Sequence, residues 1–342
     1  MNNRLSLTNE KAEIFGGKVL IFGDLHLSSS YEGQHISYLK DCYENMERIK
    51  NICNENNPKA VIFLGDIVGV NERFIRDNQF LMRVILFFNY LDSITHGNVY
   101  AVKGNHDMGE FTGFDFLLGL NLIKNPRYLD YYSDSKSKEV RFHFVNYGQE
   151  KQPLLLTEEN EGVSNVVLGH ADYYIEGVTN WYSARNGVEL CTLENYCGVE
   201  LVISGHIHIP SEQILYTNLK DGSVIGLFYT GSPARTAERY DDCWYVCVEY
   251  QEDGCTNCDP YLMGIPKAEE VFYPKEDFEL NGEIEEDGES IRSDKLTELV
   301  KEIIDSRISS GDIVHQIMIN PVADEETKKL AVEYYQMAER GE

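Results

Sequence analysis

Positive charge is scarce in this chain of 342 residues: 30 Lys and Arg stand against 57 Asp and Glu, a formal net charge of −27. Such a chain repels polyanions at long range, so composition gives no support for free-standing nucleic-acid affinity. A nucleic-acid substrate would need metal ions, a local basic patch or a partner to overcome that repulsion. Long apolar runs are also missing. None approaches the ~18 residues of a membrane span, and Met1 to Gly17 lacks the apolar stretch of a signal peptide. The expectation is a soluble cytoplasmic protein without membrane contact, in the host cytoplasm if the chain is viral. No internal repeat is present. Cys255 and Cys258 have half of a zinc-knuckle spacing, but the second half is absent. Cys243 and Cys247 on one strand would stand roughly 13 Å apart at ~3.3 Å per residue, too far to complete one tetrahedral site. The eight cysteines are therefore read as reduced thiols.

The chain does have enough apolar content, 42%, for one large core with or without an appendage. Its first hundred residues alternate. Lys18–Gly23, Ala60–Leu64 and Asn98–Val102 read as short buried strands. Between them, Ile36, Leu39, Tyr43, Met46, Ile49 and Cys53 recur at helical steps, and Phe74 to Leu91 carries a second helical face. A β-α-β-α-β order implies a parallel sheet with right-handed crossovers, whose ligands gather beyond the carboxyl ends of the strands. Two further strands, Asn165–Leu168 and Val199–Ser204, each lead into a histidine. Val224–Tyr229 and Cys243–Tyr250 are expected as antiparallel strands of a second sheet. Composition shifts near Pro266: residues 263–342 hold 21 acidic and 9 basic side chains. The expected organisation is a main domain over 1–262, an acidic linker over 263–293 and a helical region over 294–342 with a stripe of Leu296, Leu299, Val300, Ile303, Ile304 and Ile308.

Five short fragments follow those apolar runs: Gly23-Asp24-Leu25-His26, Leu64-Gly65-Asp66, Gly104-Asn105-His106-Asp107, Gly169-His170 and Gly205-His206-Ile207-His208. They contain five of the nine histidines. Residues two apart on an extended segment face the same side, so Asp24 and His26 can grip one ion, and His206 with His208 repeats the device. A two-metal hydrolase needs ions ~3.5–4 Å apart, a bridging carboxylate and a metal-bound hydroxide for in-line attack on phosphorus. Asp66, alone in its motif, suits the bridge, and Asn105 supplies a neutral oxygen beside an anionic substrate. His106 follows one ligand and precedes Asp107, which is expected to orient it and support its protonated form. His106 is read as a general acid or transition-state stabiliser, not a ligand. Singly, an Asp-x-His or a Gly-Asp is common by chance; Gly-Asn-His-Asp and Gly-His-Ile-His are far more specific.

In this order the fragments resemble the calcineurin-like metallophosphoesterase superfamily over residues 18 to about 250. Within it the chain is most similar to SbcD-type double-strand-break repair nucleases, including short phage recombination-endonuclease subunits. Gly169-His170-Ala171 through Tyr174 resembles the phage form, and Tyr229-Thr230-Gly231-Ser232-Pro233, followed by Ala234-Arg235-Thr236, resembles the segment after the last nuclease motif. The resemblance implies an α/β fold, a two-sheet α/β/β/α sandwich with a small acidic C-terminal helical appendage. It implies two divalent metal ions, manganese in this family, consistent with a mixed oxygen and nitrogen ligand set. One ion would be held by Asp24, His26, Asp66 and His208, the other by Asp66, Asn105, His170 and His206. The implied partners are DNA ends and an SbcC-type ATPase subunit docked on residues 294–340. A homodimer would form through N-terminal helices, with Phe74, Phe80, Phe87 and Phe88 as contacts; a helix packed on its own sheet gives the same pattern.

Two departures from the nuclease pattern stand out. Gly69 replaces a histidine found three residues after the second-motif Asp in many of these nucleases, and the C-terminal region carries no basic DNA-binding segment. The alternatives left open are a phosphatase or small-nucleotide phosphodiesterase of the same superfamily and a non-catalytic scaffold. Intact ligands argue against the scaffold.

Overall fold

The alternation in the first hundred residues builds one of two stacked sheets. A computed structural model describes residues 11–28, 38–69, 78–109, 112–133, 137–154, 162–174, 191–234, 242–251 and 256–266. The acidic linker from residue 267 onward and the C-terminal helical region thus lie outside the described residues, as does Cys255. In the first sheet, strands β2 (Val19–Phe22), β3 (Ala60–Phe63) and β4 (Val99–Ala101) are parallel and fully buried. Strands β13 (Trp244–Tyr250) and β14 (Thr256–Leu262) extend it antiparallel from β2. The five strands lie in the order β14-β13-β2-β3-β4.

The crossovers between the parallel strands are helices α1 (Tyr38–Asn56) and α2 (Asn78–Thr95). Helix α1 buries Tyr38, Cys42, Met46, Ile49 and Cys53 at three- and four-residue steps, one amphipathic face. Asn57, with φ of 46°, and Pro58 end it. Phe80, Phe87 and Phe88 of α2 enter the core against β2 and β3, each burial contributing about 1.5–3 kcal/mol. Those three phenylalanines are therefore spent on their own sheet and offer no dimer contact; Phe74 lies outside the described residues. A shorter helix, α3 (Gly113–Gly119), closes the same layer with Phe114 and Leu117, and Thr112 with Asp115 forms its capping box.

The second sheet comprises β1 (Lys11–Phe15), β5 (Tyr128–Tyr132), β6 (Lys138–Val145), β7 (Ser164–His170), β10 (Leu201–Gly205), β11 (Ile214–Thr217) and β12 (Val224–Tyr229). Its seven strands lie in the order β1-β5-β6-β7-β10-β12-β11. A two-stranded ribbon, β8 (Tyr173–Tyr174) and β9 (Cys191–Thr192), lies apart. Strands β6, β7, β10 and β12 run parallel. Val224–Tyr229 lies in the second sheet as expected, antiparallel to β11 but parallel to β10. One expectation is corrected here: the Cys243–Tyr250 segment is antiparallel but returns to the first sheet, its strand beginning only at Trp244. Strand β1, in the N-terminal segment that lacks an apolar stretch, pairs with β5 at the sheet edge.

The faces that meet between the sheets are apolar. Val19, Ile21, Ala60, Ile62 and Val246 of one sheet pack with Leu129, Phe142, Val166, Leu168, Ile203 and Phe228 of the other. The outer face of the seven-stranded sheet carries a third cluster, with Tyr173, Leu193, Tyr196 and Val199 over Val167, Val202 and Leu227. Among the described residues that layer holds one 3-10 turn, Leu193–Asn195. The seven-stranded sheet also contains a buried Arg141–Asp130 pair at 2.6 Å, where Arg141 lies over the Tyr128 ring. The arrangement is the expected α/β sandwich. Among the described residues, no helix is long and apolar enough to cross a membrane.

Candidate metal centre

All five fragments arrive at one edge of the sandwich, because each follows the carboxyl end of a parallel strand. Asp24 and His26 follow β2, Asp66 follows β3, and Asn105, His106 and Asp107 follow β4. From the opposite sheet, His170 ends β7 while His206 and His208 follow β10. The backbone locks these loops together. His26 N–H donates to Asp66 O at 2.8 Å, His206 N–H to Asp24 Oδ2 at 2.8 Å, and His106 N–H to Asp66 Oδ1 at 2.8 Å. His26, Asp66 and His206 adopt left-handed φ of 44°, 45° and 74°. Such φ values for non-glycine residues carry strain that the surrounding hydrogen bonds must hold.

The side chains form two adjoining groups. In the first, His26 Nε2 lies 2.9 Å from His208 Nε2 and 3.7 Å from Asp66 Oδ2, and His208 Nε2 lies 3.6 Å from Asp24 Oδ2. In the second, Asn105 Oδ1 lies 2.9 Å from His170 Nε2 and 3.0 Å from His206 Nδ1, and His170 Nε2 lies 3.2 Å from Asp66 Oδ2. The Asp66 carboxylate stands between the two groups. His170 Nδ1–H donates to Leu64 O at 2.7 Å, which turns Nε2 toward Asn105 and Asp66. Asp24, His26, Asp66 and His170 are essentially inaccessible to solvent, whereas His208 is partly buried and His106 exposed.

These residues suit metal ions on their own chemistry. Two carboxylates are buried with no Lys or Arg pairing either one among the described residues, and Asp24 Oδ1 is buried without a hydrogen bond. Buried carboxylates faced only by imidazoles suit a bound cation. The titration behaviour agrees. Burial, reinforced by His208, pushes the His26 imidazole down to about 3; burial with His170 takes His206 to about 4. Both rings are thus neutral and ready to ligate. Burial also works against a charged His170, but Asp66 and Asp24 outweigh it and hold that ring well above its usual value. Burial would raise Asp66; His170 and His26 hold it below the carboxylate range. Asp24, His26 and His208 can grip one ion, and Asp66, Asn105, His170 and His206 converge as donors for a second.

Gly104 is required by this crowding. A β-carbon there would lie 2.2 Å from Asp66 Oδ1, so any side chain would displace the shared carboxylate from its present position. Asp107 has a different place from the one expected. Its Oδ2 accepts Gly104 N–H at 3.0 Å, fixing its own loop instead of the His106 ring, and burial followed by Asp66 raises its carboxyl to about 7. His106 reaches the mouth: a ring nitrogen lies within 4.8 Å of donor atoms of His26 and Asp66, near enough to ligate or to meet a substrate. At Gly69, where many of the similar nucleases have histidine, a β-carbon would lie 3.2 Å from His26 O. Two contributions escape sequence reasoning. Ser232 Oγ–H donates to Asp24 O at 2.8 Å while Ser232 N–H donates to His208 O at 3.2 Å, so the Gly231-Ser232-Pro233 segment braces the first group. Tyr147, after β6, packs its ring 6.3 Å from His170 and 6.0 Å from His206; an Asn-Tyr-Gly turn directly after a strand is its only signal.

A family model described as calcineurin-like phosphoesterase matches residues 17–210. No curated protein sequence matches the chain. Among solved structures, a dimetal phosphatase from Danio rerio is 10% identical, with a TM-score of 0.43, 73% of this chain and 99% of that one being covered. A 5′-nucleotidase precursor from Thermus thermophilus is 15% identical, with a TM-score of 0.39 over 74% of this chain and 57% of that one. The Escherichia coli phosphoesterase YfcE is 13% identical, with a TM-score of 0.35 over 72% and 100%.

Proposed function

The chain belongs to the calcineurin-like phosphoesterase family, and from that premise we propose that it is the nuclease subunit of a DNA recombination or double-strand-break repair complex. Its coarser activity is metal-dependent phosphoester hydrolysis, and the family uses dimetal centres. In this reading both ions are manganese; one lies among Asp24, His26, Asp66 and His208, the other among Asp66, Asn105, His170 and His206. When bound, such ions supply Lewis acidity and an activated water. The protein's own work is to hold the donors rigid and the substrate in line. His106, exposed at the mouth, protonates the departing oxygen or stabilises charge on the phosphoryl group. Asp107 positions the loop that carries it.

The observation that carries the DNA reading is the Tyr229–Ala234 segment. Its sequence is similar to the break-repair nucleases, and its Ser232 is hydrogen-bonded to Asp24 and His208, which supports that reading. The net charge of −27 and the glycine at position 69 favour a second reading, a phosphatase or small-nucleotide phosphodiesterase. Under the DNA reading an SbcC-type ATPase docked on residues 294–342 helps overcome the repulsion. The test is purified full-length protein with manganese, with and without the cognate ATPase, on linear duplex DNA, single-stranded DNA, p-nitrophenyl phosphate and bis-p-nitrophenyl phosphate. Degradation of DNA and cleavage of the diester are expected. Monoester cleavage without DNA degradation in either condition selects the phosphatase.

A further inference from the structure

Tyr147 stands at the metal centre without being a ligand, a core residue or part of any motif. It follows the carboxyl end of β6, which is parallel to β7 and so opens onto the same edge as His170. Residues 146–149 form a turn closed by Gln149 N–H to Asn146 O at 2.9 Å. Gly148 has φ of 85°, the value a type II turn requires at its third residue, which places Tyr147 at the outer corner. The turn is then fastened to the adjacent sheet. Lys103 N–H donates to Asn146 Oδ1 at 2.8 Å, Asn125 and Asn146 exchange side-chain hydrogen bonds at 2.9 and 3.1 Å, and Tyr147 N–H donates to Lys103 O at 2.8 Å.

The ring held by this scaffold lies against the His206 imidazole, 6.0 Å between centroids at 42°, and edge-on to His170 at 6.3 Å and 74°. It is half-buried, and its hydroxyl bonds to no described residue. A tyrosine used for packing alone would bury its ring and pair its hydroxyl, as Tyr131 and Tyr196 do. Here an aromatic ring on a fastened turn borders the second donor group and is only half-buried.

We infer that Tyr147 is a substrate-contacting residue: its ring face stacks on the nucleobase next to the scissile phosphate and so gives the site preference for nucleoside diesters over small alkyl diesters. This rests on the phosphodiesterase reading above. Aromatic rings suit the task because every base has a stacking face, and truncating one such platform weakens binding about tenfold or more.

The test compares full-length wild type, Tyr147→Phe and Tyr147→Ala in manganese, with metal content measured for each. The substrates are the p-nitrophenyl ester of thymidine 5′-monophosphate and methyl p-nitrophenyl phosphate, which share a leaving group and differ in having a nucleoside or a methyl group on the other ester oxygen. Tyr147→Ala is expected to lower the ratio of their kcat/KM values about tenfold, mainly through KM for the thymidine ester, while Tyr147→Phe keeps the ratio of the wild type. An unchanged ratio in Tyr147→Ala overturns the inference while leaving the phosphodiesterase reading intact. So does loss of manganese in that variant, or an equal loss of preference in Tyr147→Phe. No hydrolysis of the thymidine ester by the wild type removes the phosphodiesterase reading and this inference with it.

Discussion

The two sheets supply different chemistry to the same centre. The five-stranded sheet delivers every oxygen donor, Asp24, Asp66 and Asn105, with one imidazole, His26. The seven-stranded sheet delivers only nitrogen, from His170, His206 and His208. Neither sheet alone presents a complete ligand set for either ion. The oxygen side carries the charge that attracts divalent cations, and the imidazole side adds donors without adding negative charge that would repel a phosphate. Binding therefore ties one layer of the sandwich to the other.

Disrupting the donor shared by both groups gives the largest effect. Asp66→Ala should empty both positions and lower turnover more than about 10³-fold. His208→Ala touches only the first group and should leave one ion per chain; elemental analysis of the purified variants checks both, and loss of both ions from His208→Ala would break the division into two groups. Next comes a side chain from the oxygen-rich sheet that supplies no donor in this reading. His106→Ala should lower kcat about 10²- to 10³-fold with metal content intact. A variant stripped of metal would make His106 a ligand, as its distance from His26 and Asp66 permits.

A smaller effect is expected from crowding. Gly104→Ala pushes against Asp66 Oδ1, and metal affinity, measured by titration, should fall about 10- to 100-fold. The mildest test concerns the tie between layers. Manganese at about a hundred times its Kd should stabilise the fold by about 2.7 kcal/mol and raise Tm by roughly 5 °C. The shift should vanish in Asp66→Ala. A Tm indifferent to manganese in the wild type would mean that the layers are fastened without it.

The convergence of the candidate ligands is readable in the sequence because each follows an apolar strand, and carboxyl ends of parallel strands share an edge whatever their separation along the chain. The helices are readable from their stripes. Sheet membership is not. Val224–Tyr229 and Trp244–Tyr250 have similar apolar patterns, yet one joins the seven-stranded sheet and the other the five-stranded one. Apolar periodicity says that a strand is buried, not which strand it pairs with. Asp107 misleads for a related reason: its adjacency to His106 suggests a side-chain partnership, whereas the turn folds its carboxylate back onto Gly104 N–H. Lys11–Phe15 escapes notice because an edge strand with exposed Lys11, Glu13 and Phe15 does not look apolar.

The pairing of β7 with β10 places Gly205 beside His170 and Ser204 beside Gly169. Side chains alternate between faces, so a slip of one residue during folding would turn His170 away and leave Gly169, which has no side chain, at the centre. A chain trapped in that register lacks a donor and is denied the added stability that loading confers. On the two-ion reading, binding would therefore favour the chain whose strands are paired in the native register.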